Sequence, residues 1–252
     1  MLVLLPPSET KRDGGDPIPL SLDALSFPAL RDARDEVLRA ASALAADADA
    51  MMRALKLGPR QIAEVDRNRR ILTSPTMPAI DRYTGVLYDA LDAPSLDRAA
   101  RAFAAEHVAV HSALFGLVGA GDPIPAYRLS HDSRLPGLRL RPQWRDPIST
   151  VLAERSGLIV DLRSEGYVEL GPAPVRRDSV FLRVVSVDEG GRRRALNHFN
   201  KRAKGLFTRA LLDARPILET RDDLMSWCAG AGFRLEVGAE RPAAPVELEL
   251  VA

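Results

Sequence analysis

The segment LVLL at Leu2–Leu5 is followed by the sequence PPSETKRDGGDP at residues 6–17. Four uninterrupted apolar residues are typical of a strand buried within a sheet, and the two prolines that follow end such a strand. Polar and charged side chains then occur at Ser8, Glu9, Thr10, Lys11 and Arg12. The opening therefore predicts a buried strand that leads directly into a polar loop.

Further segments along the chain have the patterns of strands and helices. Strands are predicted at Val108–Val118, where an apolar turn follows, and at Leu158–Leu162, Ser179–Val187 and Phe233–Val237. Helices are predicted at Leu30–Leu57, Gln61–Ile71, Met77–Leu91, Ile148–Arg155, Leu196–Ala210 and Thr220–Ala229, and from a cap at Ser95 to Glu106. The first two helices form a helical hairpin, and residues 119–147 are expected to be mainly ordered loop with short strand.

The chain has 252 residues, of which 46% are hydrophobic, and it can bury a substantial core. No internal repeat or low-complexity linker is visible. The alternation of strands and helices predicts an α/β (mixed α+β) fold. We expect one compact domain over residues 1–252, in which helices flank a mixed sheet.

Composition limits the possible functions. With 35 basic and 34 acidic residues the net charge is +1, so nucleic-acid binding requires a local basic patch. The single cysteine, Cys228, excludes an internal disulfide, and its context favours an inert buried thiol. His107 and His111 are four apart, but they stand in a strand-like alternation with no acidic partner nearby, so core histidines are favoured over a metal pair. No membrane span or secretion signal is recognised, and we expect a cytoplasmic protein without metal or cofactor.

The stretch RRRALNHFNKRAKGLFTR, Arg192–Arg209, carries seven Lys or Arg residues and no carboxylate. Such a concentration on a nearly neutral chain favours an anionic partner, with a solvated surface helix as the alternative. Helical spacing predicts an apolar stripe of Leu196, Phe199, Ala203, Leu206 and Ala210. The predicted cationic face on the opposite side consists of Lys201, Arg202, Lys204 and Arg209.

A second basic run, RLPGLRLRPQWR at Arg134–Arg145, contains four arginines, including Arg139 and Arg141, and no carboxylate. Arginine interleaved with an aromatic residue is the pairing that contacts backbone phosphate and stacks on bases, although Trp144 could equally be a core residue. Two such runs on a nearly neutral chain indicate anion binding more strongly than either run alone.

Other motifs in the chain bear on possible chemistry. Lys56–Ala63, KLGPRQIA, partly resembles a helix-hairpin-helix turn, with Gly58 at the second glycine position and Lys56 in place of the first. A plain capped hairpin is the alternative. No GxGxxG or GxxxxGK[ST] sequence occurs, so dinucleotide and P-loop sites are not supported. Ser164, in DLRSEGY, lacks a nucleophile elbow, and a serine-stabilised turn is favoured.

Several segments in order resemble the YaaA family of peroxide-stress proteins. They are MLVLLPPSETK at the start, RYTGVLYDAL at Arg82–Leu91, HSALFGLVGAGDPIPAYRLS at His111–Ser130, QWRDPIS at Gln143–Ser149, LIVDLRSEGY at Leu158–Tyr167 and NKRAKGLFTRALL at Asn200–Leu212. The basic motif of the family maps onto Lys201, Arg202, Ala203, Lys204, Gly205 and Arg209, and its Tyr-Arg pair maps onto Tyr127 and Arg128. Many relatives have Pro-Ala-Lys-Thr after the first strand, whereas this chain has Pro7-Ser8-Glu9-Thr10, with its lysine at Lys11.

The resemblance implies a single α/β unit with a positively charged cleft and a helix-hairpin-helix element. It also implies a DNA-associated stress function that limits damage linked to free intracellular iron. We therefore expect a non-enzymatic protein that binds DNA backbone without sequence preference. The predicted nucleic-acid-binding residues are Lys11, Arg128, Arg139, Arg141, Lys201, Arg202, Lys204 and Arg209.

The alternative is an enzyme or sensor that binds a small anionic ligand, such as a nucleotide. In that case Lys11, Arg128 and Lys201 are expected to converge on the ligand. A DNA groove requires both basic runs on one face, whereas a pocket requires only a few cations around a concavity. The sequence leaves the oligomeric state open.

Overall fold

A mixed β-sheet forms the centre of the molecule. The computed structural model describes residues 1–187, 193–194, 197–239 and 244–251. The strands are β1 (Leu2–Leu5), β2 (Met77–Pro78), β3 (Val108–Ser112), β4 (Gly116–Gly119), β5 (Pro123–Ile124), β6 (Ile159–Asp161), β7 (Ser179–Val187), β8 (Arg193–Arg194), β9 (Arg234–Val237) and β10 (Val246–Val251).

The main sheet has the spatial order β4-β3-β1-β6-β7-β10-β9, and β8 pairs with the end of β7. Its five central strands run parallel, whereas β4 and β9 are antiparallel to their neighbours. On β1, Val3 lies opposite Val108 of β3 on one side and Val160 of β6 on the other. Every residue of β1, β3 and β6 is buried, as expected for parallel strands covered on both faces.

Helices pack around this sheet in two groups. They are α1 (Arg31–Ala46), α2 (Ala48–Ala54), α3 (Ala63–Arg69), α4 (Ala79–Arg82), α5 (Val86–Leu91), α6 (Arg98–His107), α7 (Leu140–Ala153), α8 (Glu165–Val168), α9 (Asn197–Ala214) and α10 (Arg221–Gly230). In one group α1 packs against α2, α3 and α7, and in the other α9 packs against α5, α6 and β7. The predicted α/β class, with helices around a mixed sheet, is confirmed.

Two predicted helices are interrupted. The helix predicted at Leu30–Leu57 divides at Asp47, because the Asp47 carboxylate accepts the Ala50 N–H at 3.0 Å and begins α2. The helix predicted at Met77–Leu91 is wrong, since this segment forms β2, α4 and α5. Gly85, with φ of 97°, lies between the two helices in a conformation that favours glycine.

Other element boundaries also differ from the predictions. The N-cap of α6 is Asp97, which accepts the Ala100 N–H at 2.7 Å, and not Ser95. The helix predicted from Ile148 begins at Leu140 and runs through Pro147, so half of the second basic run is helical. The sequence patterns also missed β10, because the two glutamates of VELELV are more typical of an exposed segment than of a strand within the sheet.

The orientation of α9 contradicts the predicted cationic face. Its buried side chains include Lys204, Phe207, Thr208 and Leu211, whereas Leu206 of the predicted apolar stripe is 39% exposed. Ala203 and Ala210 are half-buried, and Leu196 and the Phe199 side chain lie outside the described residues. Because α9 packs against both α5 and β7, its sequence does not show a single apolar stripe.

Gly205 permits the close approach of α9 to α5. A Cβ atom at this position would collide with the Leu87 carbonyl oxygen and lie 2.8 Å from the Ala90 Cβ. At Gly230, in α10, an added Cβ would meet no atom within 4 Å. The glycine of the basic motif therefore has a packing role.

We predict that Gly205→Ala lowers the free energy of unfolding by about 1–3 kcal/mol, the usual cost of overpacking an interface. Gly230→Ala is the matched control and should leave stability unchanged or raise it by up to about 1 kcal/mol, because alanine is the better helix former. Urea denaturation of the two variants measures both effects. Equal stability of Gly205→Ala and the wild type would contradict the proposed packing role.

Candidate ligand-binding cleft

A cleft of about 1000 Å³ opens where the central parallel strands end. Residues 6–10, which follow β1, form one wall, and residues 163–167, which follow β6, form another. Residues 84–88 at the start of α5 and residues 129–132 continue the lining. Further lining side chains come from β7 and α9, namely Phe181, Arg183, Asn200, Lys201 and Lys204.

The position of the cleft follows from the topology of the sheet. β1 and β6 are adjacent and parallel, so their carboxyl ends lie at the same edge. The chain leaves β1 toward β3 on one side and leaves β6 toward β7 on the other side. Because these connections diverge, a crevice opens between the two strand ends, and in open α/β sheets this is where ligands bind.

Hydrogen bonds hold the walls of the cleft together. The Tyr88 hydroxyl donates to the Pro6 carbonyl at 2.8 Å, and the Thr10 hydroxyl donates to the Thr84 carbonyl at 3.2 Å. These two bonds join α5 and the residues just before it to the loop after β1. On another wall, Asn68 of α3 exchanges two hydrogen bonds with the Arg128 backbone, at 2.7 and 2.8 Å. The helical hairpin therefore positions the segment that precedes residues 129–132.

A buried ion pair fixes the segment after β6. The Arg163 guanidinium donates to both carboxylate oxygens of Asp161, at 2.8 and 2.6 Å, and to the Gly171 carbonyl at 3.0 Å. It also contacts His111 Nδ1 at 2.8 Å. Burial, followed by the charge of Arg163, lowers the pKa of His111 well below its usual range. A neutral His111 accepts this hydrogen bond, so its role here is structural.

Lys204 lies inside the cleft and not on the solvent-exposed face where the sequence placed it. The residue is 6% exposed, and its Nζ donates to the Leu162 carbonyl at 2.8 Å and to the Arg163 carbonyl at 3.4 Å. Burial lowers the pKa of Lys204 to about 8. The Asp161 carboxylate, which favours the charged form of Lys204, is already bound by Arg163. Lys204 thus combines a partly neutral amine with a position on the cleft lining.

Asn200 and Lys201 add polar groups at the same side of the cleft. Lys201 is exposed, and within the described part of the chain it has no ion-pair partner. The Asn200 Oδ1 atom is buried and has no hydrogen-bond partner there. A ligand with both an anionic group and a hydrogen-bond donor would satisfy these side chains.

The alternative prediction required Lys11, Arg128 and Lys201 to converge on one ligand. In the structure, Lys11 and Arg128 are not part of the cleft lining. Lys11 is buried beneath the loop, where its Nζ donates to the Ser8 carbonyl at 3.0 Å and lies 4.1 Å from the centre of the Tyr127 ring. Burial, with a smaller contribution from the charge of Arg128, lowers the pKa of Lys11 to about 7. Arg128 pairs with Glu9 at 2.8 Å. Both cations therefore support the loop that forms the wall.

The remaining predicted cations lie away from the cleft lining. Arg209 pairs with Asp213 at 2.8 Å and also binds the α5–α6 connection through the Asp92 carbonyl. Arg202 is exposed on α9. Arg139 and Arg141 are exposed around the start of α7, where Arg141 lies 3.5 Å from Glu169.

The structure also bears on two further predictions from the sequence: base stacking by Trp144 and the helix-hairpin-helix turn at Lys56–Ala63. Trp144 is fully buried and donates its indole N–H to the Ala113 carbonyl at 2.9 Å, so it cannot stack on a base. In the hairpin turn, the Gly58 N–H donates to Gln61 Oε1 at 2.9 Å and is not directed at a ligand. The positive φ of this turn occurs at Lys56, at 53°. The helix-hairpin-helix element stays a prediction.

Sequence reasoning did not single out Asn200 or Arg183 as cleft residues. Arg183 on β7 pairs with Glu165 and Glu247, at 2.8 and 2.9 Å. For Arg183, the signal in the sequence was a charged residue within the otherwise apolar segment FLRVV, residues 181–185.

Within the described ranges, no group of three or more His, Cys, Asp or Glu side chains is arranged to hold a metal ion. None of the described helices has the length and apolar character to cross a membrane.

Comparisons with known proteins identify similar chains. A family model described as "Peroxide stress protein YaaA" matches residues 1–237. A UPF0246 protein of Corynebacterium glutamicum strain R is 43% identical over 241 residues, covering 94% of this chain and 95% of the relative. A UPF0246 protein of Corynebacterium efficiens is 42% identical over 246 residues, covering 96% and 97%. A Streptomyces coelicolor UPF0246 protein is 41% identical over 247 residues, covering 96% and 94%.

The lowered pKa of Lys11 predicts a pH-dependent stability. Between a pKa of about 7 in the folded chain and 10.5 in the unfolded chain, the folded state binds fewer protons, so the free energy of unfolding should rise with pH. The slope from one such group is at most about 1.4 kcal/mol per pH unit. Urea denaturation of the wild type and of Lys11→Met between pH 7 and pH 9 measures this slope.

In Lys11→Met the rise should be smaller, with the part that Lys204 contributes through its own lowered pKa remaining, whereas Lys56→Met, which removes an exposed lysine, should retain the full rise. The same slope in the wild type and in Lys11→Met would contradict a desolvated Lys11.

Proposed function

The chain belongs to the YaaA family of peroxide stress proteins, and we propose that it acts in the peroxide-stress response by binding a small anionic ligand in the cleft. The supporting observation is the pairing of charges on the lining. Of the cations on the described lining, only Lys201 and Lys204 have no carboxylate partner. The two residues are three positions apart on α9, which makes them neighbours on the helix surface.

The acidic side chains of the lining are paired with other cations. Glu9 pairs with Arg128, Asp132 pairs with Lys56 at 3.2 Å, and Glu165 pairs with Arg183. These carboxylates are therefore compensated, and the excess positive charge is concentrated on α9. A ligand with phosphate or carboxylate groups is the complementary chemistry. The cleft volume is at the upper end of the range for small-molecule sites, which accommodates a nucleotide-sized ligand.

Binding of DNA backbone is the second candidate function. It is supported by the exposed Lys201 at the cleft, by the adjacent exposed Arg202 outside the lining, and by the exposed Arg139 and Arg141. A continuous groove requires both basic runs on one face. Only the α9 run contributes to the cleft lining, so the small-ligand function is the better supported of the two. Under either function, we propose that binding limits oxidative damage linked to free iron in the cytoplasm.

The two candidates predict different responses to the same variants. Isothermal titration with pyrophosphate, ADP and ATP should detect binding to the wild-type protein. Lys201→Ala should weaken this binding about tenfold, the effect of losing one charge-assisted hydrogen bond of about 1.5 kcal/mol. Arg139→Ala is the matched control, since it removes an exposed cation outside the cleft, and it should bind these anions like the wild type.

Fluorescence anisotropy with a 20-base-pair duplex tests the second candidate. Duplex affinity that falls in both Lys201→Ala and Arg139→Ala, with no binding of pyrophosphate, ADP or ATP, would contradict the small-ligand function and support a DNA groove. In that case log K should fall with log salt at a slope of about −4 to −5, as expected when about four to six phosphates are contacted.

A further inference from the structure

Lysine is rare in this chain, and its few occurrences are concentrated at the cleft. Of the 35 basic residues only four are lysines: Lys11, Lys56, Lys201 and Lys204. Lys201 and Lys204 line the cleft, and Lys56 pairs with the lining residue Asp132. Lys11 donates to the backbone of the lining residues Ser8 and Glu9. Arginine serves the remaining basic positions of the chain, including those of the exposed surface.

Lysine differs from arginine in one chemically important respect. An arginine side chain stays protonated in proteins, whereas a desolvated lysine can lose its proton and act as a nucleophile. Of the two lysines that line the cleft, Lys201 is exposed and Lys204 is buried. A solvent-exposed ammonium is suited to binding an anion, and a buried amine is suited to reacting with a bound group.

Burial favours the neutral amine of Lys204. Its hydrogen-bond acceptors are the neutral carbonyls of Leu162 and Arg163, and within the described chain no carboxylate lies within 4.0 Å of its Nζ. The Phe181 ring lies beside it, with the ring centre 5.9 Å from Nζ. The nearby charges on β6, β7 and the following segment are Asp161, Arg183 and Glu165, and the last two are paired with each other. The pKa of about 8 is consistent with this environment.

We propose that Lys204 is a nucleophilic residue that forms an imine with an anionic aldehyde or ketone bound in the cleft. This inference rests on the proposed small-ligand function, with Lys201 binding the anionic group of the same molecule. The Nζ lone pair forms a bond to the carbonyl carbon, and the electrons of the C=O π bond move to oxygen, which takes up a proton. The resulting carbinolamine loses one water molecule, and nitrogen loses its two protons overall, leaving a C=N bond.

Pyridoxal 5′-phosphate tests the proposal because it combines an aldehyde with a phosphate group. The intact protein is incubated with this probe at pH 8, reduced with sodium borohydride, and mapped by mass spectrometry of chymotryptic peptides. Because burial lowers the pKa of Lys204 to about 8, a large share of its amine is neutral at pH 8, so Lys204 should be labelled at least about tenfold faster than the exposed Lys56. Labelling should saturate at one probe per chain.

Two variants separate chemistry from folding. Lys204→Arg retains a cation that can donate to the Leu162 carbonyl, but it cannot form an imine, and it should lose the label while keeping the circular dichroism spectrum of the wild type. Lys56→Arg keeps a cation beside Asp132 and should be labelled at Lys204 like the wild type. The wild-type map itself decides the question if Lys204→Arg fails to fold, because it requires no variant.

Labelling confined to Lys56, Lys201 or the terminal amine, with Lys204 unmodified in the folded protein, would overturn the proposal. Pyrophosphate binding that persists in that case would leave the proposed ligand function intact. Pyridoxal, which lacks the phosphate, tests the reactivity of Lys204 separately from anion binding in the cleft. Labelling of Lys204 by both aldehydes at equal rates would support the nucleophile and contradict an anion-binding role for the cleft.

Discussion

The parallel pairing of β1 with β6 is the constraint on which the rest of the site depends. Two adjacent strands end at the same edge, and their connections then leave in opposite directions. The loop after β1 and the segment after β6 therefore face each other across a gap. Each segment is rigid for its own reason: Lys11 supports the first from below, and the Arg163–Asp161 pair fixes the second. The cleft is thus a product of topology, and its chemistry comes from the side chains of these segments and of α9.

The nearly neutral composition does not show how the charged side chains are paired around the cleft. Arginines pair with carboxylates at the walls, as in Arg128 with Glu9 and Arg183 with Glu165. The two lysines of the lining have no carboxylate partner among the described residues, and Lys204 donates to a backbone carbonyl instead. Exposed ion pairs contribute little to stability, about 0–1 kcal/mol each, but they remove negative charge from the lining. The consequence is a cleft that combines compensated acids with an uncompensated pair of amines.

Sequence patterns predicted β1 correctly, because an uninterrupted run of buried apolar residues has few alternatives in a covered parallel sheet. They also predicted Ser179–Val187 with its observed bounds, although Phe181 and Arg183 are only half-buried there. The orientation of α9 was predicted wrongly because two partners cover it, so that Lys204 is buried and Leu206 exposed. The carboxylate pairings could not be predicted at all. Glu9 and Arg128 are 119 positions apart, and no local pattern specifies such a contact. The family resemblance gave the basic motif, and the structure separated Lys201 and Lys204 on the cleft from Arg209, which binds neighbouring helices.

Hydrogen–deuterium exchange in the presence and absence of saturating pyrophosphate measures directly where an anion binds. A site at the diverging ends of β1 and β6 predicts slower exchange of the backbone amides in residues 8–11 and 163–167 and in the α9 segment around Lys201. The amides of residues 134–145 should exchange at unchanged rates. Protection confined to residues 134–145, with no change at the two strand ends, would contradict the assignment of the cleft as the functional site.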